Sequence, residues 1–314
     1  MRVLVVGPGA IGCMFAARLA DSGVDVLLLG RDRTRCDQLA AGGLRIERSD
    51  GIHVYPANAI CSGNALPDGA RISAAVIAVK AYDTAVAGTA VAAVVSRDTP
   101  VISLQNGIGN ADVLTDTCGL RRVICAVTSC GATLLGAGHV REAGIGVTRM
   151  APADGQPVPE AIRDVARNLI HAGLAVELLS DAPSVVWSKA IINAALNPLT
   201  AIWGVRNGEV AEREDLRQSL RAAAGEGQRV AAALGIRLVY DDAAEEAERV
   251  CRQTSGNLSS MLQDVRSGRR TEVREINGAI VAAGRRLGIG TPINEELLRR
   301  VLELESQAHG GGLA

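Results

Sequence analysis

The chain has 314 residues, 48% of them apolar but only 2% aromatic, so its core has to be built from Ala, Val, Leu and Ile. A formal net charge of −1 excludes the basic surplus that nucleic acid or another polyanion would need. Seven cysteines without a C-x-x-C pair and four scattered histidines give neither a disulfide framework nor a metal-ligand spacing. In chain order, residues 3–6 (Val-Leu-Val-Val) read as a continuous, β-branched, buried strand. Residues 10–22 read as a helix stopped by Gly23. Strands follow at 25–29, 72–79 and 100–104, then at 123–128, 146–149 and 175–178. The Pro-rich stretch 151–159 reads as a loop feeding a helix at 160–172. Strands alternating with helices imply βαβ units and a parallel sheet covered on both faces.

The pattern changes near residues 180–183. Helical periodicity takes over at 185–196, 216–234, 243–253, 258–267, 271–287 and 295–305, and strand signals nearly vanish. The expected fold is an α/β Rossmann-type doubly wound sheet over residues 1–180, followed by an all-helical domain over 181–314. The glycine-rich tail 309–314 is expected to fray. Met1-Arg2 runs straight into an apolar stretch that Gly7 ends, which is too short for a secretory core. No stretch approaches the ~20 apolar residues of a membrane span. The expected location is therefore the cytoplasm, with no membrane partner. The apolar helical faces permit a homodimer without requiring one.

Gly7-Pro8-Gly9-Ala10-Ile11-Gly12 matches G-x-G-x-x-G, follows the first strand and opens the first helix, the context in which this motif binds a dinucleotide. Gly7 makes the tight turn, Gly9 admits the pyrophosphate, and Gly12 lets helix and strand pack closely. The helix N-terminus offers N–H groups to the phosphates. After the second strand stands Leu29-Gly30-Arg31-Asp32. A guanidinium at position 31 can pair with a 2′-phosphate, which favours NADP(H). A carboxylate one residue on would favour NAD(H) if it took the contact instead.

The most informative stretch is residues 187–198. An apolar helix is interrupted there by Lys189, Asn193 and Asn197, spaced i, i+4, i+8 on one face. Enclosing an ammonium and two amides without partners costs about 1–3 kcal/mol per unmet group, and more for the charge. The stripe therefore needs a polar ligand, other buried polar groups or water to face. Snorkelling of Lys189, with the asparagines bonding backbone carbonyls, is the structural alternative. Asn106 directly follows a sheet strand, where open α/β sheets bind ligands, although Asn-Gly is also a common turn. Thr271 reads as an N-cap with Glu272 in the first helical turn, which dipole compensation alone would explain.

These segments resemble the ketopantoate reductases (2-dehydropantoate 2-reductases) from the glycine loop to about residue 295. The resemblance is most specific in Lys189 to Trp203, with Asn197-Pro198-Leu199-Thr200-Ala201-Ile202-Trp203, and in Ser259 to Gly278, with Thr-Glu-Val-Arg-Glu-Ile-Asn-Gly. It implies a Rossmann domain, a helical domain and an active site between them. It implies Lys189 as the catalytic lysine and Glu272 as its acidic partner. Asn106, Asn193, Asn197 and Ser260 would bind the 2-keto acid substrate, and Lys80 and Asn106 would serve the cofactor side. Ser188 before Lys189 and Gln105 before Asn106 are departures that leave the reaction class untouched. Two other readings compete: a reductase of another branched 2-keto acid, and a non-enzymatic NADP(H)-binding regulator.

Overall fold

The computed structural model describes residues 1–61 and 71–310. Contacts divide the chain into two compact units. One is made of Met1–Gln105 and Asn110–Ala182, the other of Asn106–Gly109 and the chain from Pro183 on. The short segment Asn106–Gly109 thus groups with the second unit although it lies between strands of the first.

The first unit holds strands β1 (Arg2–Val6), β2 (Asp25–Gly30), β3 (Leu44–Arg48), β4 (Gly51–Tyr55), β5 (Asn58–Cys61) and β6 (Ala74–Ile77). Strands β7 (Val101–Ser103), β8 (Val123–Thr128), β9 (Gly131–Gly136), β10 (His139–Gly144), β11 (Val147–Pro152) and β12 (Ala175–Leu178) follow. Its helices are α1 (Ala10–Asp21), α2 (Arg33–Gly42), α3 (Thr84–Ala92), α4 (Asn110–Asp112) and α5 (Glu160–His171). Eight strands form one sheet in the order β12-β11-β8-β7-β6-β1-β2-β5. From β5 to β8 every pairing is parallel. Read from that end, the order is the doubly wound 3-2-1-4-5-6, which reverses direction between β1 and β6. Only β11 runs antiparallel to its neighbour β8. β1 and β6 are buried along almost their whole length, as expected of strands covered on both faces.

The second sheet, β4-β3-β10-β9, corrects the sequence reading, which assigned nothing to these residues. It packs on α1, and its strands alternate, with Leu44 and Ile46 buried and Arg45 exposed. Such half-buried alternation over five residues lacks the continuous apolar run that marks the central strands. Beneath it lies a charged cluster. Arg18 donates to both Glu142 oxygens at 2.9 and 2.5 Å and to the Ala172 carbonyl at 2.7 Å. Arg48 reaches Asp21 at 3.0 Å and Glu142 at 3.5 Å. The strand expected at 146–149 extends to Pro152, so residues 151 and 152 belong to β11 and not to a loop.

The second unit holds α6 (Ala182–Trp203), α7 (Asn207–Glu212), α8 (Glu214–Ala233), α9 (Ala243–Gln253), α10 (Ser260–Arg266), α11 (Ala279–Leu287) and α12 (Pro292–Gly310). A π-helical turn at Arg274–Gly278 leads into α11. No strand occurs among the described residues of this unit. Helix α12 carries on to Gly310, past the expected end at 305, so residues 309 and 310 are helical; residues 311–314 of the expected tail lie outside the described residues. Helix α6, at 22 residues, is by length and composition alone long and apolar enough to cross a bilayer, more than the sequence reading expected of any stretch. However, 78% of its most apolar window is buried inside the protein, the environment of a core helix.

Helix α6 also runs through Pro198 instead of stopping before it. Proline has no N–H, so the carbonyl of Ala194 loses its i→i+4 donor, a fault that costs about 3 kcal/mol or more inside a helix. Here the side-chain amide of Asn277 donates to that carbonyl at 2.9 Å. The same Nδ2 donates to Asn294 Oδ1 at 3.0 Å. Flipping the amide would set its oxygen against two acceptors, so the bonding decides its orientation. Asn294 in turn donates to the Ala223 carbonyl and to Glu226, whose carboxylate also accepts the backbone N–H groups of Ile293 and Asn294 at 2.9 Å. Asn277, Asn294 and Glu226 are all buried. Asn277→Ala should lower unfolding free energy by about 2–4 kcal/mol, the range for breaking a buried polar network. Adding Pro198→Ala restores a backbone N–H for Ala194 and should recover at least about 1 kcal/mol. Denaturant titration of the two variants checks this; a double variant no more stable than Asn277→Ala would refute the compensation.

Candidate active site

In the first unit the glycine loop sits where the sheet order reverses. Gly7 has φ +92°, and a Cβ there would lie 2.6 Å from Val79 Cγ1 and 2.9 Å from Val79 N. A Cβ on Gly12 would run into the Gly7 carbonyl oxygen. Both positions therefore exclude side chains, as tight turn and close packing require. Gly9 differs, because a Cβ there would meet nothing within 4 Å. It is the N-cap of α1, and no side chain caps that helix. A strand, a turn closed to side chains, an open glycine and an uncapped helix start fit a dinucleotide pyrophosphate. Pro8 is buried in this turn, while Ala10 and Ile11 form the half-buried first helical positions. Arg35 of α2 donates to the Pro8 carbonyl at 2.7 Å and so fixes the turn from the side.

At the end of β2, the carboxylate of Asp32 caps α2 by accepting from the Arg35 N–H at 2.8 Å. Arg31 is exposed, and its guanidinium donates to Asp83 at 2.8 Å. Lys80 is half-buried just after β6, on the other side of the glycine loop.

In the second unit, α6 carries Lys189, Asn193 and Asn197 along one side. The first two are half-buried and Asn197 is buried. Their neighbours Ala190, Ile191, Ala194 and Ala195 belong to the core. The turn bearing Lys189 is held from the loop between α8 and α9. Tyr240 donates to the Ser188 carbonyl at 2.8 Å, and Ser188 Oγ accepts from the Val239 N–H at 2.9 Å. Burial pushes the Tyr240 phenol far up, so it stays a donor at any working pH.

Glu272 is buried, and its carboxylate accepts from the Asn106 amide at 3.1 Å. This brings together two predicted residues 166 positions apart. Glu272 lies directly before the helical run, where its carbonyl accepts from the Ile276 N–H at 3.0 Å. The dipole of that helix therefore still favours its carboxylate, and the Asn106 bond is what adds to the sequence reading. Thr271 accepts from the Val273 N–H at 3.3 Å, as a cap does. Its hydroxyl and backbone N–H both donate to Glu305 Oε1 at 2.7 Å, and Arg274 donates to Glu305 Oε2 at 2.9 Å. Glu305 thus grips the chain on both sides of Glu272. The segment Asn106–Gly109 is seated by its backbone as well. The Ile108 N–H donates to the Glu275 carbonyl at 2.9 Å, and a Cβ on Gly107, at φ +90°, would lie 2.8 Å from that oxygen.

Ser260 is exposed at the first position of α10. Its neighbour Ser259 is buried, caps the helix by accepting from the Leu262 N–H, and lies 2.6 Å from Thr200 Oγ1. Sequence reasoning missed Glu305, Tyr240, Ser259 and Asn277. Only Asn277 left a signal, because a proline inside a helical pattern announces an orphaned carbonyl four residues earlier.

Comparison with known proteins gives this geometry a context. Residues 3–155 match the family model "Ketopantoate reductase PanE/ApbA", and residues 181–305 match the model of its C-terminal part. The chain belongs to the ketopantoate reductase family. A 2-dehydropantoate 2-reductase of Archaeoglobus fulgidus is 40% identical over 308 residues, covering 97% of this chain and 98% of that protein. A crystal structure of a PanE/ApbA family ketopantoate reductase from Ralstonia eutropha JMP134 superposes with TM-score 0.87 at 30% identity, covering 98% and 100% of the two chains. A D-mandelate dehydrogenase bound to NADH and anilino(oxo)acetate superposes with TM-score 0.89 at 25% identity, again over 98% and 100%. The family members thus share both the α/β and the helical part of this fold.

Burial works against the Glu305 carboxylate, but bonds from Thr271 and Arg274 outweigh it and hold its pKa below the ordinary glutamate value of 4.5. A depressed carboxyl pKa contributes stability above the unfolded value, lost as pH falls through the folded one. Glu305→Gln should therefore lower Tm at pH 7 by about 2–4 °C, with the difference from wild type shrinking as pH falls below 4.5. Thermal melts across that range check the sign.

Proposed function

We propose that this chain reduces 2-dehydropantoate to pantoate, with NADP(H) as the hydride carrier. The observation that carries the reading is the polar set of the helical unit, in which Lys189, Asn193 and Asn197 share one side of α6 and Asn106 is bonded to a buried Glu272. These residue types match the needs of 2-keto acid reduction. Gly7, Pro8, Gly9, Ala10, Ile11 and Gly12 would hold the pyrophosphate, Arg31 the 2′-phosphate, and Lys80 and Asn106 the nicotinamide side. Bound NADPH supplies the hydride.

Reduction at the keto carbon leaves negative charge on its oxygen. Lys189 is assigned to stabilise that charge and to give the oxygen its proton, so that the product is the neutral 2-hydroxyl. Glu272 accepts from the distal hydroxyl and orients Lys189 electrostatically. Its bond from Asn106 keeps one carboxylate oxygen fixed while the other serves this role. Asn193 and Asn197 hold the hydroxyl end, and Ser260 donates to the substrate carboxylate from its exposed position. A site that bonds a hydroxyl discriminates strongly against a substrate lacking it, because its own polar groups are then left unmet.

The choice of NADP(H) is supported by the commitment of Asp32 to the cap of α2, which leaves Arg31 as the group for the adenosine ribose. The D-mandelate dehydrogenase neighbour, which binds NADH, is what favours the second reading, an NADH-dependent reductase of another 2-keto acid. The 40% identity to a 2-dehydropantoate 2-reductase over nearly the whole chain weighs for the first.

Steady-state assays separate the two. Lys189→Ala should lower kcat by about 100-fold or more, as expected for loss of a general acid; a kcat within about threefold of wild type would remove Lys189 from the mechanism. With the wild-type enzyme, kcat/KM for 2-dehydropantoate should exceed that for 2-ketoisovalerate, which lacks the hydroxymethyl group, by about 100-fold or more. Equal values would favour another keto acid.

A further inference from the structure

The Arg31–Asp83 ion pair has a position that its chemistry makes consequential. Arg31 follows the carboxyl end of β2, and Asp83 lies a few residues beyond the carboxyl end of β6. Both strands run parallel to β1 and flank it. The two side chains therefore reach each other, at 2.8 Å, across the strand whose end carries the glycine loop. Two strand spacings, about 9.6 Å, separate the elements that the pair joins. It spans the crevice at the topological switch point, where a doubly wound sheet takes its dinucleotide.

The pair is asymmetric. The Arg31 side chain is 72% exposed and that of Asp83 only 23%. Asp83 closes the short 3-10 turn Ala81–Asp83, whose backbone is tied back by its N–H to the Lys80 carbonyl at 2.8 Å. The carboxylate is thus the more enclosed member, on a tied turn, and the guanidinium the more exposed one. The other carboxylate near Arg31, that of Asp32, is engaged at the cap of α2.

We propose that Asp83 is a specificity-determining residue that competes with the cofactor 2′-phosphate for Arg31. This deepens, and rests on, the reading that Arg31 receives that phosphate. A guanidinium held by Asp83 has to exchange one carboxylate for the phosphate, so part of the attraction is spent on breaking the pair. A dinucleotide with a bare 2′-hydroxyl offers no charge to drive the exchange and gains nothing from Arg31. Asp83 therefore narrows the gap between NADPH and NADH that Arg31 alone would open.

The test measures Kd for NADPH and for NADH by quenching of protein fluorescence or by calorimetry. The proteins are the full-length wild type, Asp83→Asn, Arg31→Ala and the double variant. Asp83→Asn should tighten NADPH about fivefold, the scale of one exposed ion pair, and leave NADH within about twofold. On the Arg31→Ala background the same change should tighten NADPH by less than about twofold, because the competition needs the guanidinium. Arg31→Ala alone should weaken NADPH at least about tenfold and spare NADH. If Arg31→Ala weakens NADPH but Asp83→Asn fails to tighten it, the competition is refuted and the 2′-phosphate reading stands. If Asp83→Asn tightens NADPH equally with and without Arg31, Asp83 acts only as a repulsive charge and the proposal is overturned. If Arg31→Ala leaves NADPH unchanged, the phosphate reading falls and the proposal with it.

Discussion

One missing hydrogen governs the helical unit. Helix α6 has to carry an ammonium and two amides through an apolar core, and Pro198 interrupts its backbone bonding directly after Asn197. The carbonyl so exposed belongs to Ala194, between the two asparagines. Left unmet in a buried helix, it would cost as much as a lost core contact. The Asn277 amide fills the vacancy and ties α6 to the π-helical turn that leads into α11. Asn294 and Glu226 extend the tie to α8 and α12. The placement of Asn193 and Asn197 therefore depends on a buried network formed by residues with no assigned contact to substrate.

The same logic holds around Glu272. A buried carboxylate is expensive unless its oxygens are met, and here one is met by Asn106. The chain on either side is clamped by Glu305 through Thr271 and Arg274. Asn106 is in turn set by the backbone seating of Gly107 and Ile108 on Glu275. Glu272, Asn106 and the turn that bears Lys189 are thus each held by groups one step further along the chain or the fold. Such pre-organisation would keep the proposed general acid and its partners in place without a reordering cost at each turnover.

Much of this was legible in the sequence, for a physical reason that differs from part to part. The central strands were readable because burial on both faces leaves continuous apolar runs such as Val3-Leu4-Val5-Val6. The glycine loop was readable because steric exclusion at Gly7 and Gly12 permits no other residue. The stripe of Lys189, Asn193 and Asn197 stood out because polar groups violate an otherwise apolar helix. The second sheet was not readable, because strands half-covered by α1 alternate too briefly to be told from loops, as in Leu44-Arg45-Ile46-Glu47-Arg48. Nor were the supporting residues. Glu305 and Tyr240 lie on helical or loop sequence of ordinary composition, and their roles come from partners 34 and 52 positions away. Contacts of that span leave no local mark.

The two units solve opposite electrostatic problems. In the helical unit, charge is buried and has to be balanced in place, so Glu272, Glu226 and Glu305 are each met by fixed donors. At the switch point of the α/β unit the Arg31 charge is exposed and, on the proposed reading, has to be exchangeable. A fully paired, buried arginine at position 31 would recognise a phosphate poorly, because the pair would have to be broken in a medium of low dielectric. An exposed guanidinium leaning on a single carboxylate is screened by water and gives up its partner at small cost. Arg31 with Asp83 has that character, whereas Arg18 with Glu142, both nearly excluded from solvent, does not. The difference in burial fits one arginine–carboxylate pair in this unit to the proposed role in recognition and the other to the packing of the second sheet on α1.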